Sequence, residues 1–330
     1  MADLVSRYPK IFGHMKRGPF WSGFVNHYFE PVIPEDFDAE PEDMKPGQKR
    51  DEWGILWGTS EGGVGRHPFD SEAPLADWKV LDTYQPPDPA DYRDRHGRNW
   101  DEIEKHFGTL KEKGQRTRGD GGELFTRLYY LRGFNNLMID IGTDDPGLLR
   151  LLDMVKAYED EMVRRWMSIG VDSMYFHTDI GMQDRLMISP EKFRQWIKPW
   201  FKKIFLPVKN AGIPIDLSTD GHLLEIVDDL VECGVTSLQA QVRANTLEGI
   251  EKYYKGKLHI GLDLDRQMFA FCSPSDIREQ VREAVERLWL PEGGLGLSAD
   301  VIDPNTPLEN IEALCQAGYE YCLANMPDPV

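Results

Sequence analysis

The stretch that decides the fold is PIDLSTDGHLLEIVDDLVECGV, residues 214–235. It reads as a short strand through Ser218-Thr219, a polar tip at Asp220-Gly221-His222, and a helix that stops at a glycine C-cap, Gly234. The same sentence recurs in SMYFHTD (173–179), TSLQAQVR (236–243), LHIGLDLDR (258–266) and LGLSADVID (295–303), each an apolar run ending on charged or amide residues ahead of a helix. Strand, polar tip and helix in series predict α/β architecture, a (β/α)8 TIM barrel whose strand ends build an active site. A doubly wound sheet is the competing architecture. No glycine-rich phosphate loop follows any strand, which favours the barrel.

Outward from that core, the helices are marked by their ends. Asp144-Asp145-Pro146 opens one that runs to about Ser168, Ser189-Pro190-Glu191 a second that Pro199 and Pro207 should kink or split, Ser273-Pro274 a third, and Thr306-Pro307-Leu308-Glu309 a fourth as a capping box. Earlier strands are expected near 20–26, within GPFWSGFVN (18–26), and near 116–125, with YEYCL (319–323) closing the barrel. Residues 1–115 are irregular and rich in Pro, Gly, Trp and acids, which predicts a loop-rich N-terminal cap; 116–330 holds the regular βα units. The whole of 1–330 reads as one barrel domain.

The formal charge of −18 argues against a nucleic-acid partner, whose phosphates would be repelled. No run of 18 apolar residues offers a membrane span, and the N-terminus lacks the apolar centre of a signal peptide, so the cytoplasm is expected. The four cysteines form no CxxC pair and suit reduced thiols.

Residues two apart on a strand share a face. His177 with Asp179, Asp220 with His222, Gln239 with Gln241 and Asp263 with Asp265 therefore gather on one rim, joined by Asp300. Crowded carboxylates in a partly dry pocket acquire raised pKa values and act as general acids. Asp220 also has a plain reading as a helix N-cap, and Asp265-Arg266 as a rim ion pair.

Several stretches together resemble the uroporphyrinogen decarboxylase superfamily, and most nearly its corrinoid-dependent methyltransferase branch. They are DEWGILWG (51–58), LRGFNNLMIDIG (131–142), YFHTDIGMQDRLMISPEKFRQWIKPWFKKIF (175–205), STDGHLLEIVDDLVECGV (218–235), GLDLDRQ (261–267) and TPLENIEAL (306–314). The resemblance covers most of the chain and implies the same barrel. The decarboxylase's N-terminal arginine motif has no counterpart, since KRGPFWSGFVNHYFE (16–30) stands in that region. The His-x-Cys and Cys zinc ligands of the methyltransferase branch fall here on Ser218, Asp220 and Asp300, so the soft ligands are gone.

The resemblance then implies a demethylase component that moves a methyl group from a small O- or N-methyl donor to a corrinoid carried by a partner protein. The chain itself has no Asp-x-His-x-x-Gly corrinoid motif. The expected catalytic residues are Asp220, His222, Asp300 and His177, with Asp179, Gln183, Gln241, Asp263 and Arg266 binding substrate. A zinc ion held by Asp220, His222 and Asp300 would be the route to polarising the leaving atom. Trp53, Trp57, Tyr129 and Tyr130 are expected to cover the donor. The alternative is a decarboxylase-like lyase acting on a small carboxylate without corrinoid, using Arg116, Arg118, Arg243 or Arg266; a third reading is a binder that has lost catalysis.

Overall fold

The computed structural model describes Arg7 and residues 28–32, 48–59, 67–94, 96–291, 293–301, 303 and 305–323. Its strands are β1 (Tyr28–Val32), β2 (Lys49–Arg50), β3 (Leu56–Gly58), β4 (His67–Pro68), β5 (Arg118–Glu123), β6 (Ser173–His177), β7 (Ile215–Ser218), β8 (Ser237–Gln241), β9 (His259–Asp263) and β10 (Leu295–Asp300). The main helices are α1 (Trp100–Glu112), α2 (Phe125–Arg132), α3 (Phe134–Thr143), α4 (Gly147–Ile169), α5 (Lys198–Asn210), α6 (Val227–Cys233), α7 (Leu247–Tyr253), α8 (Pro274–Leu288) and α9 (Leu308–Ala317).

Seven strands form one sheet in the order β1-β10-β9-β8-β7-β6-β5, every pair parallel. From β5 to β10 each strand lies beside its predecessor, and the first strand lies beside the last. A doubly wound sheet reverses its order at a switch point; this one runs in a single direction and returns to its start. That is the winding of an α/β barrel, with the β1–β5 seam unpaired among the described residues. The described part of the N-terminal segment holds β1, a separate antiparallel ribbon β2-β3-β4, a series of short 3₁₀ turns and, against the expectation of irregular chain throughout, the helix α1, opened by an Asn99–Glu102 capping box.

Strand alternation sorts residues cleanly. On β6 and β7, Met174, Phe176, Ile215 and Leu217 are at most 2% exposed and pack beneath the helices. Phe176 stacks against Phe205 of α5 at 4.7 Å, and Gly121 of β5 leaves room for its ring: a Cβ there would lie 2.2 Å from it. Gly119 does the same for Trp166 of α4. Glycines on β5 thus let α4 and β6 approach closely, which is the packing role of a side-chain-free strand position.

Several expectations need correcting. GPFWSGFVN (18–26) lies outside the described residues, and the strand that pairs with β10 is Tyr28–Val32. YEYCL is not a strand: Gly318–Leu323 is helical, because Ala317, Gly318 and Cys322 bury at i, i+1 and i+5 while Tyr319 and Glu320 face solvent. The 189–210 helix is not split. One turn (Pro190–Lys192) runs into a π-turn at Phe193–Ile197 and on into α5, and the wider π-turn sits just ahead of Pro199, whose missing N–H it accommodates. Thr306 caps nothing: α9 starts after Pro307 and has no side-chain cap bond.

Candidate functional site

The C-terminal ends of β6, β7, β8 and β9 meet at one rim, and two of the loops there lock backbone to backbone. The Asp220 N–H donates to Asp179 Oδ1 (3.1 Å), and the His222 N–H to the Met182 carbonyl (2.7 Å). Gly181 and Gly221 touch main chain to main chain: a Cβ on Gly221 would lie 2.4 Å from the Gly181 carbonyl carbon, and Gly221 has φ +86°. Beneath, the fully buried Thr178 and Thr219 accept from the Thr126 and Ile180 amides at 3.3 Å. Asn245 completes the frame. It is 1% exposed, takes the Leu223 N–H at 2.9 Å and donates to the Gly221 carbonyl at 2.9 Å and to the Gln241 carbonyl at 3.1 Å.

On this frame the expected residues separate. Asp179, Asp220, Gln241 and Asp263 come together. Gln241 Oε1 accepts from the Gly221 N–H (2.9 Å) while its amide nitrogen lies 3.5 Å from Asp263 Oδ2. Asp263 is buried and pairs with Arg266 at 3.8 Å. Asp220 projects toward solvent at the mouth, yet the rim removes part of its hydration. That loss, and then the neighbouring Asp179 charge, raise its carboxyl above the usual carboxylate range. It is not a helix cap, because α6 does not begin until Val227. His177 stands half-buried at the end of β6, in register with Ser218, and no hydrogen bond to its ring occurs among the described residues.

His222 is held by neighbours within the chain. Its Nδ1 meets the Ala244 carbonyl at 3.0 Å and its Nε2 meets Glu225 at 3.0 Å, so both ring nitrogens are engaged within the chain. Gln183 is exposed in the loop after β6. Asp300 ends β10 in register with Val32, and its side chain lies outside the described residues. Asp265 pairs with Arg243 rather than Arg266.

Among the described residues no group of three His, Cys, Asp or Glu side chains is arranged to hold a metal ion. With both His222 nitrogens occupied, the described residues do not make the expected zinc site.

Of the four aromatics expected to cover the donor, three pack together. Tyr129 and Tyr130 of α2 stand perpendicular at 4.8 Å, and Trp57 packs edge-on against Tyr130 at 5.1 Å. The helix is tied to the rim because the Asp179 N–H donates to Thr126 Oγ1 (2.7 Å). Burial pushes the Tyr129 hydroxyl up to about 12. Trp53, in contrast, is a core residue, 1% exposed beneath the Arg127 guanidinium, and cannot cover a substrate.

Residues 78–321 match the uroporphyrinogen decarboxylase (URO-D) family, about three quarters of the chain. The chain belongs to that family. Two curated relatives, the methylcobamide:CoM methyltransferases MtaA of Methanosarcina barkeri strain Fusaro and of Methanosarcina barkeri, are each 26% identical over 168 residues, 50% of this chain and 45% of theirs. The chain therefore spans about half the length of the curated relatives it matches. A solved methyltransferase from Methanosarcina mazei superposes with a TM-score of 0.53 at 16% identity, over 97% of this chain and 91% of the other. That likeness carries the barrel fold of this URO-D family member.

Sequence reasoning missed Gly181, Gly221, Asn245 and Asp216. Gly221 stands inside one polar strand tip and Gly181 two residues past another, where a glycine signals close backbone approach. Asp216 shares the parity of Ser218 and Asp220 in the opening motif, so its face was readable. Asn245 carries no local signal.

Proposed function

We propose that this chain moves a methyl group from a small O- or N-methyl donor to a corrinoid carried by a separate protein. The match to the methylcobamide:CoM methyltransferases supports the reaction class, and the Asp179–Asp220 pair supports the mechanism. The corrinoid would supply the cobalt that accepts the methyl. Its binding is left to a partner, since this chain lacks the Asp-x-His-x-x-Gly motif and both His222 nitrogens are engaged.

The work of this chain is to hold the donor and stabilise what leaves. An alkoxide or amide is a poor leaving group; protonating it lowers the barrier by general acid catalysis. Asp220 suits that role because its raised pKa keeps a larger share of it protonated than an ordinary aspartate at the same pH. Asp179, accepting the Asp220 N–H, places a second negative charge beside it and so favours the protonated state. Gln241 fixes the turn by taking the Gly221 N–H. His177 faces the same opening and is available to the donor. Asp300 and Gln183 are assigned to the donor's surroundings by position on the rim.

The alternative is a lyase acting on a small carboxylate, which the decarboxylase family match keeps in play. A carboxylate substrate needs cations; Arg266 and Arg243 are already paired with Asp263 and Asp265, which leaves Arg118, over the Tyr175 ring, as the cation nearest the lumen for that reading.

The test is methyl transfer to reduced cobalamin from methoxy and methylamine donors. Replacing Asp220 with Asn should lower turnover by roughly 10²–10⁴-fold with the fold intact, and wild-type activity should fall as pH rises through the Asp220 pKa. Near-normal turnover in Asp220→Asn would remove the acid from the mechanism.

A further inference from the structure

Beneath the rim lies a second polar layer that the methyl-transfer reading leaves unused. Tyr175 is in register with Asp216, Asp216 with Ser237, and Ser237 with His259. One level nearer the rim, His177 is in register with Ser218, the Ser218 hydroxyl donates to Gln239 Oε1, and Gln239 is in register with Gly261, itself beside Gly296 of β10. These residues alternate with Phe176, Leu217, Leu238 and Ile260, which are sealed under the helices, so they occupy the lumen face.

A barrel interior is ordinarily filled by Val, Ile and Leu. Polar side chains there cost desolvation, and glycines leave a layer unfilled. The lumen of this barrel is also wet. Tyr175 and Gln239 lie mid-strand in a sheet covered by helices, yet both are partly exposed, while Met174, Phe176, Leu238 and Ala240 beside them are buried. Solvent therefore reaches the lumen face at the levels of Tyr175 and Gln239, and Asp216, in register with Tyr175, lies nearly buried beside it as the floor of the layer that holds Gln239.

Asp216 is 5% exposed. The Ser173 and Ser237 hydroxyls flank its carboxylate, but Oδ2 has no hydrogen-bond partner. A buried acceptor without a donor is costly and calls for one. Above it, Gln239 has given its oxygen to Ser218, and no acceptor among the described residues takes its amide N–H groups. The Arg118 guanidinium lies 4.4 Å over the Tyr175 ring and brings further donors. An acceptor on the floor and donors on the walls complement groups that both donate and accept, which is the chemistry of a hydroxyl.

We infer that the lumen is a binding channel for the hydroxyl-bearing end of the methyl donor, with Asp216 the residue that selects it. The donor class is then a hydroxyl-rich methyl ether of the polyol or sugar type, its methyl held at the rim. This rests on the methyl-transfer reading for the identity of the ligand as donor.

The experiment is calorimetric titration of the purified chain, without corrinoid, with methyl glucoside, an O-methyl inositol and methoxybenzene. At least one of the hydroxyl-rich ethers should bind. Both Asp216→Asn and Ser237→Ala should weaken it at least tenfold, and methoxybenzene should be indifferent to either change. Failure of both hydroxyl-rich ethers to bind, or equal binding by wild type and variants, overturns the inference. A chain that binds them in an Asp216-dependent way but transfers no methyl to cobalamin breaks the methyl-transfer reading and leaves the lumen site standing. One that demethylates methoxybenzene unaltered by Asp216→Asn does the reverse.

Discussion

On β6, Met174 and Phe176 are fully sealed, while Tyr175 and His177, one position along, admit solvent. β7 and β8 repeat the contrast, with Leu217 and Leu238 facing the helices and Ser218 and Gln239 facing the lumen. The outer face obeys the packing rules of a core. The inner face breaks the usual rule for barrel interiors, and a fold violates such rules where function requires it. Truncation should therefore cost stability on one face and little on the other. Phe176→Ala removes a ring wedged between Gly121 and Phe205 and should cost about 3–5 kcal/mol in denaturant unfolding. Gln239→Ala, two positions from the rim on the lumen face, should cost under about 1 kcal/mol. Similar losses for the two would abolish the distinction between the faces.

The next largest effect has the opposite sign. Burial, opposed mainly by Arg118, pushes the Asp216 carboxyl from 3.8 up to about 6; Ser173, Ser237 and Arg116 also favour its charged form. Between those values the folded chain holds a proton that the unfolded chain has released. Stability from this group is present below about 3.8 and is lost as pH rises through about 6. Two pKa units correspond to about 3 kcal/mol. Asp216→Asn, which cannot ionise, should then be more stable than the parent by up to about 3 kcal/mol at pH 7.5. The gain should vanish near pH 3.5. Thermal melts across that range test it, and an Asn variant that is less stable at pH 7.5 would show that the lumen compensates the charge. Glu159 of α4 offers a parallel case on the outer side: it is 1% exposed, burial raises its carboxyl well above the usual range, and Oε2 has no hydrogen-bond partner.

The two faces also differ in how far they could be read from sequence. Period-two alternation and glycine punctuation are local, so β6 to β10 and their polar tips were legible, as was the gathering of Asp179, Asp220, Gln241 and Asp263. What depended on distant partners was not. Tyr28–Val32 is a strand because β10 lies beside it, and YEYCL is helical despite its β-forming residues because its burial follows a helix face. The ring contact of His222 with the Ala244 carbonyl, 22 residues away, is announced by no motif. Asp216 was visible as a letter in PIDLSTDGH, but only the strand order shows that it points into a wet interior.

The smallest of the expected differences between paired sites lies at the rim, where open side chains ride on a closely packed backbone. Gly221 combines a positive φ with main-chain contact to Gly181. Gly256 has a similar φ, +76°, and nothing lies within 4 Å of the point where a Cβ would stand. Alanine at Gly256 therefore pays only for the left-handed backbone, about 1 kcal/mol. At Gly221 the same change must also push apart two loops held by the Asp220–Asp179 and His222–Met182 hydrogen bonds, for a total of about 1–3 kcal/mol. The excess of Gly221→Ala over Gly256→Ala in paired unfolding curves measures the loop contact alone. Because that contact sets the spacing of Asp179 and Asp220, the same variant should lose methyl transfer out of proportion to its stability. Equal costs at the two glycines would mean that the loops move freely past one another and that the carboxylate pair is not held by the backbone.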